Sequence, residues 1–204
     1  MKKIKLLVFF LVALTGQGVA QTLSEFLANS QLPLTFLGVD FSQMRYLHAP
    51  SLHPGQFKSQ VIPDINTEVV NHPQRYDIAA SFYRQAVHND LSQVKQINAS
   101  IDTSVIKSNT ATDFQRLQPA DIASVARHYS GEGIGLLFVV EAADCKSWKV
   151  AVYVVLTALG TGEVLLSKRY IKRGRAGIQW TAALAATLKD ISGRDYKRWK
   201  KANS

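Results

Sequence analysis

Cysteine is almost missing from this chain: Cys145 stands alone among 204 residues. An internal disulfide is thereby excluded, and stability must come from a packed core. Proline is scarce, and three of the six residues, Pro50, Pro54 and Pro63, fall in one stretch. Acids are outnumbered by bases, 15 to 24. The apolar run Leu6–Leu14 falls short of the roughly 20 residues that span a bilayer. The Gly-x-Ser-x-Gly and His-Glu-x-x-His motifs of hydrolases are absent as well. A glycine-rich segment does occur, Gly131-Glu132-Gly133-Ile134-Gly135, but it follows a helical pattern and enters a strand. Phosphate-cradling loops run the other way, from strand into helix, so this one reads as a helix stop. No cofactor is expected.

What is present at the N-terminus reads as an address. MKKIKLLVFFLVALTGQGVAQ carries Lys2, Lys3 and Lys5, then the apolar run, then Gly18 and Ala20 at the −3 and −1 positions of a cut before Gln21. This is the pattern of a cleavable export signal over residues 1–20. The mature protein is expected to be periplasmic or secreted, with a single domain over 21–193 and a basic tail over 194–204. Loss of the three lysines lowers the formal charge from +9 to +6, and what remains is uneven. From Lys168 to Lys201 there are eleven Lys and Arg against Asp190 and Asp195. Such asymmetry fits an anionic partner, and fits equally a solvated face.

The pattern of apolar residues predicts an α/β (α+β) domain. Leu34–Ser42 is rich in β-branched and aromatic residues on both alternating faces, which marks a buried strand. Residues 43–64, with their prolines, read as a long irregular loop. Residues 74–88 repeat Ile78, Phe82 and Ala86 at helical spacing after Pro73, with a weak strand after them. A further helix opens at Pro119 and stops at Gly131. Gly133–Ala143, Trp148–Leu156 and Glu163–Arg173 then form three β-rich runs joined by short turns, an expected antiparallel meander. The first two are apolar on both faces, so both faces need a cover. The last helix starts near Gly177, carries Trp180, Leu184, Leu188 and Ile191 on one stripe, and closes at Gly193. The expected sheet has about five strands in the order β-α-β-α-β-β-β-α, its C-terminal meander covered by helices.

Two groups of side chains are candidates for function. The first is basic: Lys168, Arg169, Lys172, Arg173 and Arg175 at the end of the third run, then Arg194, Lys197, Arg198 and Trp199 in the tail. Cations interleaved with Trp199 and Tyr196 suit an anionic glycan or lipid headgroup; nucleic acid is not expected in that compartment. The structural alternative is a strand running into water, its Lys and Arg blocking unwanted pairing. The second group is a cleft formed by Asp40, His48, His53 and His72. His48 and His53 alone do not make a metal site, which wants three or four ligands, so none is expected.

The segments LTFLGVDFS (34–42), GIGLLFVVEA (133–142), TGEVLLSKR (161–169) and RAGIQWTAALAATLKDI (175–191) together resemble an uncharacterised family of small exported proteins from Bacteroidetes-type bacteria. The final runs plus helix also resemble periplasmic α/β domains of Tol-system and curli-secretion proteins, which serve assembly and partner contact. The sheet apolar on both faces and the lack of a chemical constellation point to a non-enzymatic envelope protein that binds a protein partner or forms a homo-oligomer. The alternatives are a module binding an anionic polymer or headgroup, and a hydrolase built on residues 43–72.

Overall fold

The computed structural model describes residues 22–174 and 178–204; the expected signal and Arg175 lie outside the described residues. In chain order the elements are α1 (Leu23–Ala28), β1 (Leu34–Asp40), β2 (Arg45–Leu47), the helical run α2, α3 (Ile78–Ser81), β3 (Val87–Asn89), α4 (Ser92–Ala99), β4 (Lys107–Ser108), α5 (Pro119–Ala126), β5 (Ile134–Asp144), β6 (Lys149–Ala158), β7 (Glu163–Arg173) and the helical run α6. The run α2 joins Pro54–Gln56, a π-turn Phe57–Val61 and Ile62–Asn71. Likewise α6 joins Trp180–Asp190, a π-turn Ile191–Asp195 and Tyr196–Ala202.

The sheet is mixed, with seven strands rather than five. β5 lies at its centre. On one side β6 and then β7 pair antiparallel. On the other, β1 and β2 lie end to end along the same edge of β5, both parallel to it, at Ile134–Val139 and Ala142–Asp144. β3 flanks β1 and β4 flanks β2, again in parallel. Four of the six pairings are therefore parallel, and the antiparallel ones are confined to the last three strands. The extra strands escape a periodicity argument because β2 has three residues and β4 two.

Several local expectations are corrected. The stretch 43–64 is not an irregular loop: it holds β2 and the start of α2, with Pro54 at the first helical position. Pro73 follows the end of a helix at His72 instead of opening one. Asp77 caps the short α3, and Tyr83, at φ 51°, turns the chain before it can extend. Gly193 does not close the last helix; it sits in the π-turn, and helix continues to Ala202. The segment after it is no loose tail. Tyr196 is buried, and Trp199 stacks on Phe82 with centroids 6.4 Å apart. Buried Arg84 locks this end, donating through Nη1 to the carbonyls of Phe26 and Asn29 at 2.8 and 2.7 Å and through Nη2 to the Tyr196 hydroxyl.

Both faces of the sheet are covered. One face packs Phe36, Phe138, Val152 and Val154 against α2 and α6, including Leu184 and Leu188. Trp180 sits among Phe41, Tyr46 and Phe57, ring centroids 5.5, 5.7 and 5.8 Å away. The other face packs Leu37, Leu137 and Val155 against α4 and α5.

The edge of β1 is finished by side chains. β3 covers only Leu34–Phe36. Beyond it the β1–β5 register shifts between Phe36 and Gly38, and Gly38 takes φ 110°. From there the edge is satisfied by two buried asparagines. The Val39 N–H donates to Asn66 Oδ1 at 2.7 Å, and its carbonyl accepts from Asn66 Nδ2 at 3.0 Å and Asn98 Nδ2 at 2.9 Å. The Phe41 N–H donates to Asn98 Oδ1 at 2.8 Å. A Cβ on Gly38 would lie 2.6 Å from Val94 Cγ1 and 2.7 Å from Asn66 Oδ1. Gly38→Ala is therefore expected to cost about 2–3 kcal/mol, lowering Tm by roughly 5–10 °C. Gly160→Ala, with open space around it, should leave Tm unchanged in the same thermal melts.

Candidate binding surface

Three cations of β7 that looked free in the sequence are spent inside the molecule. Arg169 Nε reaches Oε2 of the fully buried Glu141 at 2.6 Å, and its Nη2 donates to the Phe114 carbonyl at 2.5 Å. Glu141 accepts a second bond from the Leu117 N–H at 2.8 Å. On the opposite face Lys168 Nζ lies 2.8 Å from Oδ2 of Asp195, also fully buried, which further accepts from the Tyr170 hydroxyl at 2.7 Å and from Arg194 Nε at 3.2 Å. Lys172 Nζ pairs with Asp190 at 2.5 Å. A buried carboxylate is expensive without partners, and Arg169 and Lys168 are the partners of Glu141 and Asp195, whereas Asp190 is partly exposed. The reading of Lys168, Arg169 and Lys172 as a free anion-binding surface is corrected accordingly. Arg194 is half spent on Asp190 and Asp195.

What remains exposed is Arg173 on β7 and, on the last turns of α6, Lys197, Arg198, Lys200 and Lys201. Trp199 points the other way, into packing. With its cations turned inward, β7 offers its outer edge. Eleven residues long, it pairs among the described residues on one side only. Among the described residues, no side chain bonds the backbone of Val164–Arg173, and Ile171 stands 50% exposed. This is the opposite of the edge of β1, which two asparagines close.

The four residues expected to form a cleft lie apart in their bonding. Asp40 is fully buried and accepts from the Tyr129 hydroxyl at 2.8 Å and the Ser42 N–H at 2.7 Å. His72 Nδ1 pairs with Glu68 of its own helical run at 2.8 Å. His53 is exposed at the start of α2. Of the three histidines, His48 alone has a side-chain partner distant in sequence among the described residues: its Nδ1 lies 2.8 Å from Asp144 Oδ1, with the backbone held at φ 52°. Asp144 also accepts from Ser147 Oγ at 2.5 Å and from the Lys146 N–H at 2.9 Å. Sequence reasoning missed this pair because 96 residues separate its members. Adjacent Cys145 is half-buried. Burial raises its thiol above the ordinary range, a bond with Tyr46 opposes this, and the charge of Asp144 adds to it, the reverse of an activated nucleophile. Among the described residues no group of three or more His, Cys, Asp or Glu is placed to hold a metal ion. No helix among them is long and apolar enough to cross a membrane.

Set against known proteins, the chain matches no family model and no curated protein.

The ion pairs give a pH signature. Burial would raise the Asp195 carboxyl, but bonds from Lys168, Tyr170 and Arg194 and the Lys168 charge outweigh it and hold the group below its ordinary range. A depressed carboxylate stabilises the fold above its unfolded value of about 3.9 and loses that contribution as pH falls through the folded value. Asp195→Asn should cost about 2–3 kcal/mol at pH 7, less than a wholly buried pair because Lys168 and Arg194 reach water. In urea titrations the gap between variant and parent should be full at neutral pH and shrink below about pH 4.

Proposed function

We propose that this chain is an exported, non-enzymatic protein of the cell envelope that works by contact, with the outer edge of β7 as its docking element. The reading rests on one contrast: the edge of β1 is closed by Asn66 and Asn98, while among the described residues no side chain bonds the backbone of Val164–Arg173 on β7, and three of that strand's cations are neutralised from within. An extended segment adding to such an edge gains main-chain hydrogen bonds along its length. Free Lys and Arg would discourage it, but three of the four on β7 are engaged. Residues 1–20 supply the export part of the proposal, and the resemblance to small exported Bacteroidetes-type proteins is consistent with it.

The occupant is a protein partner or a second copy of the chain. Hydrogen exchange tests this directly. In dilute protein the outward amides of β7 exchange quickly; on raising the protein concentration, or adding envelope extract, they should slow by roughly tenfold or more. Unchanged exchange under both conditions overturns the proposal.

One observation favours a second reading. Lys197, Arg198, Lys200 and Lys201 are exposed on the last turns of α6, and none has an acidic partner among the described residues. An anionic glycan or lipid headgroup would meet them there. On that reading heparin retention weakens steeply with salt and is lost on combined Lys197→Glu and Lys201→Glu substitution, with Tm unchanged. Retention that survives both substitutions rules this face out.

A further inference from the structure

The asparagines that close the edge of β1 also create a space. Asn66 comes from α2 and Asn98 from α4, and both donate to the same Val39 carbonyl. The two helices straddle the end of β1, in the lane that β3 leaves after Asn89. Between them runs a groove of about 440 Å³, within the usual size of a small-ligand site. Its lining is mostly apolar, with Ile62, Pro63 and Ala99 among the walls. The amides of Asn66 and Asn98, which also line it, are already committed to backbone. Ser59, Thr67, Lys58 and Lys95 complete the lining, the two lysines one from each helical element, and no acidic side chain joins them.

We propose that this groove binds a single-chain anionic amphiphile, its apolar body between α2 and α4 and its anionic head at Lys95 and Lys58. The chemistry selects that class. A surface that is mostly apolar, with both asparagine amides committed and the Ser59 and Thr67 hydroxyls as its other uncharged polar groups, offers a sugar or a peptide backbone little to bond, whereas an alkyl chain loses only water. Two cations without an acid in the lining favour a negative head over a neutral or positive one. Lys58 Nζ is partly engaged, donating to the Ile101 carbonyl at 2.8 Å, so Lys95, exposed on α4, carries the larger share. The location follows the general preference of α/β sheets for binding beyond the carboxyl ends of parallel strands, here the ends of β3 and β1. The groove is separate from β7, and the proposal stands whether or not that edge docks a partner.

The test uses the full mature chain and three probes of equal length, titrated calorimetrically: dodecanoate and dodecyl phosphate below their micelle concentrations, and dodecanol below its solubility limit. Saturable one-to-one binding of dodecanoate or dodecyl phosphate, at least tenfold tighter than dodecanol, is expected. The tighter of the two anions identifies the head as carboxylate or phosphate. Lys95→Glu should weaken the anions at least tenfold and leave dodecanol unchanged. Ala99→Trp, which fills the groove from an exposed position, should abolish all binding; Thr67→Trp is the second filler if the first lowers Tm. Equal affinity for dodecanol and the anions, or binding untouched by a filler that keeps the parent Tm, overturns the proposal.

Discussion

Every layer of this molecule answers to the burial of β5. All of its residues but Asp144 are buried, so it needs strand partners on both edges and a cover on both faces. Its edges take β6 on one side and, on the other, β1 and β2 in sequence. Its faces take α2 and α6 on one side and α4 and α5 on the other. Because Glu141 of this strand is buried with its neighbours, a cation must come to it, and Arg169 is drawn two strands across the sheet. The burial of one strand thus sets both the architecture and the fate of the charges around it.

The same logic explains why a basic run is not a basic surface. Lys168, Arg169 and Lys172 alternate between the two faces of β7, and each face presents a carboxylate: Glu141 on one, Asp195 and Asp190 on the other. A charge count along the chain has no access to this cancellation, because Glu141 lies far from its partner in sequence and Asp195 is carried back to β7 only by the continuation of α6 past Gly193. Once the cations are neutralised, the outer side of β7 is a strand edge with little to repel a neighbour. At the other end of the sheet, β1 solves its edge with two asparagines, and the helices that deliver them leave a groove. One edge is closed at the cost of a gap between helices; the other stays open.

Of the candidate residues, the exposure of Arg173, Lys197 and Arg198 was no more legible than the engagement of Lys168, Arg169 and Lys172, since neighbours across the sheet decide both. Trp199 was recognisable as unusual but not as a packing residue, because the stripe linking it to Tyr196 begins beyond a glycine that looks like a stop. The pairing of His48 with Asp144 was invisible, as any contact between a short strand and a distant hairpin turn must be.

The sequence by itself determined that the domain is α/β, that the runs ending in β5 and β6 are buried on both faces, and that Trp180, Leu184 and Leu188 face the sheet. These follow from local period and composition, which a single segment carries within itself. Only the tertiary structure decided the number of strands, the persistence of the last helix, and which charges are free. Strands of two or three residues exist because a neighbour's edge needs partners. A lysine is free or spent according to what lies across the sheet, and no single segment holds that information.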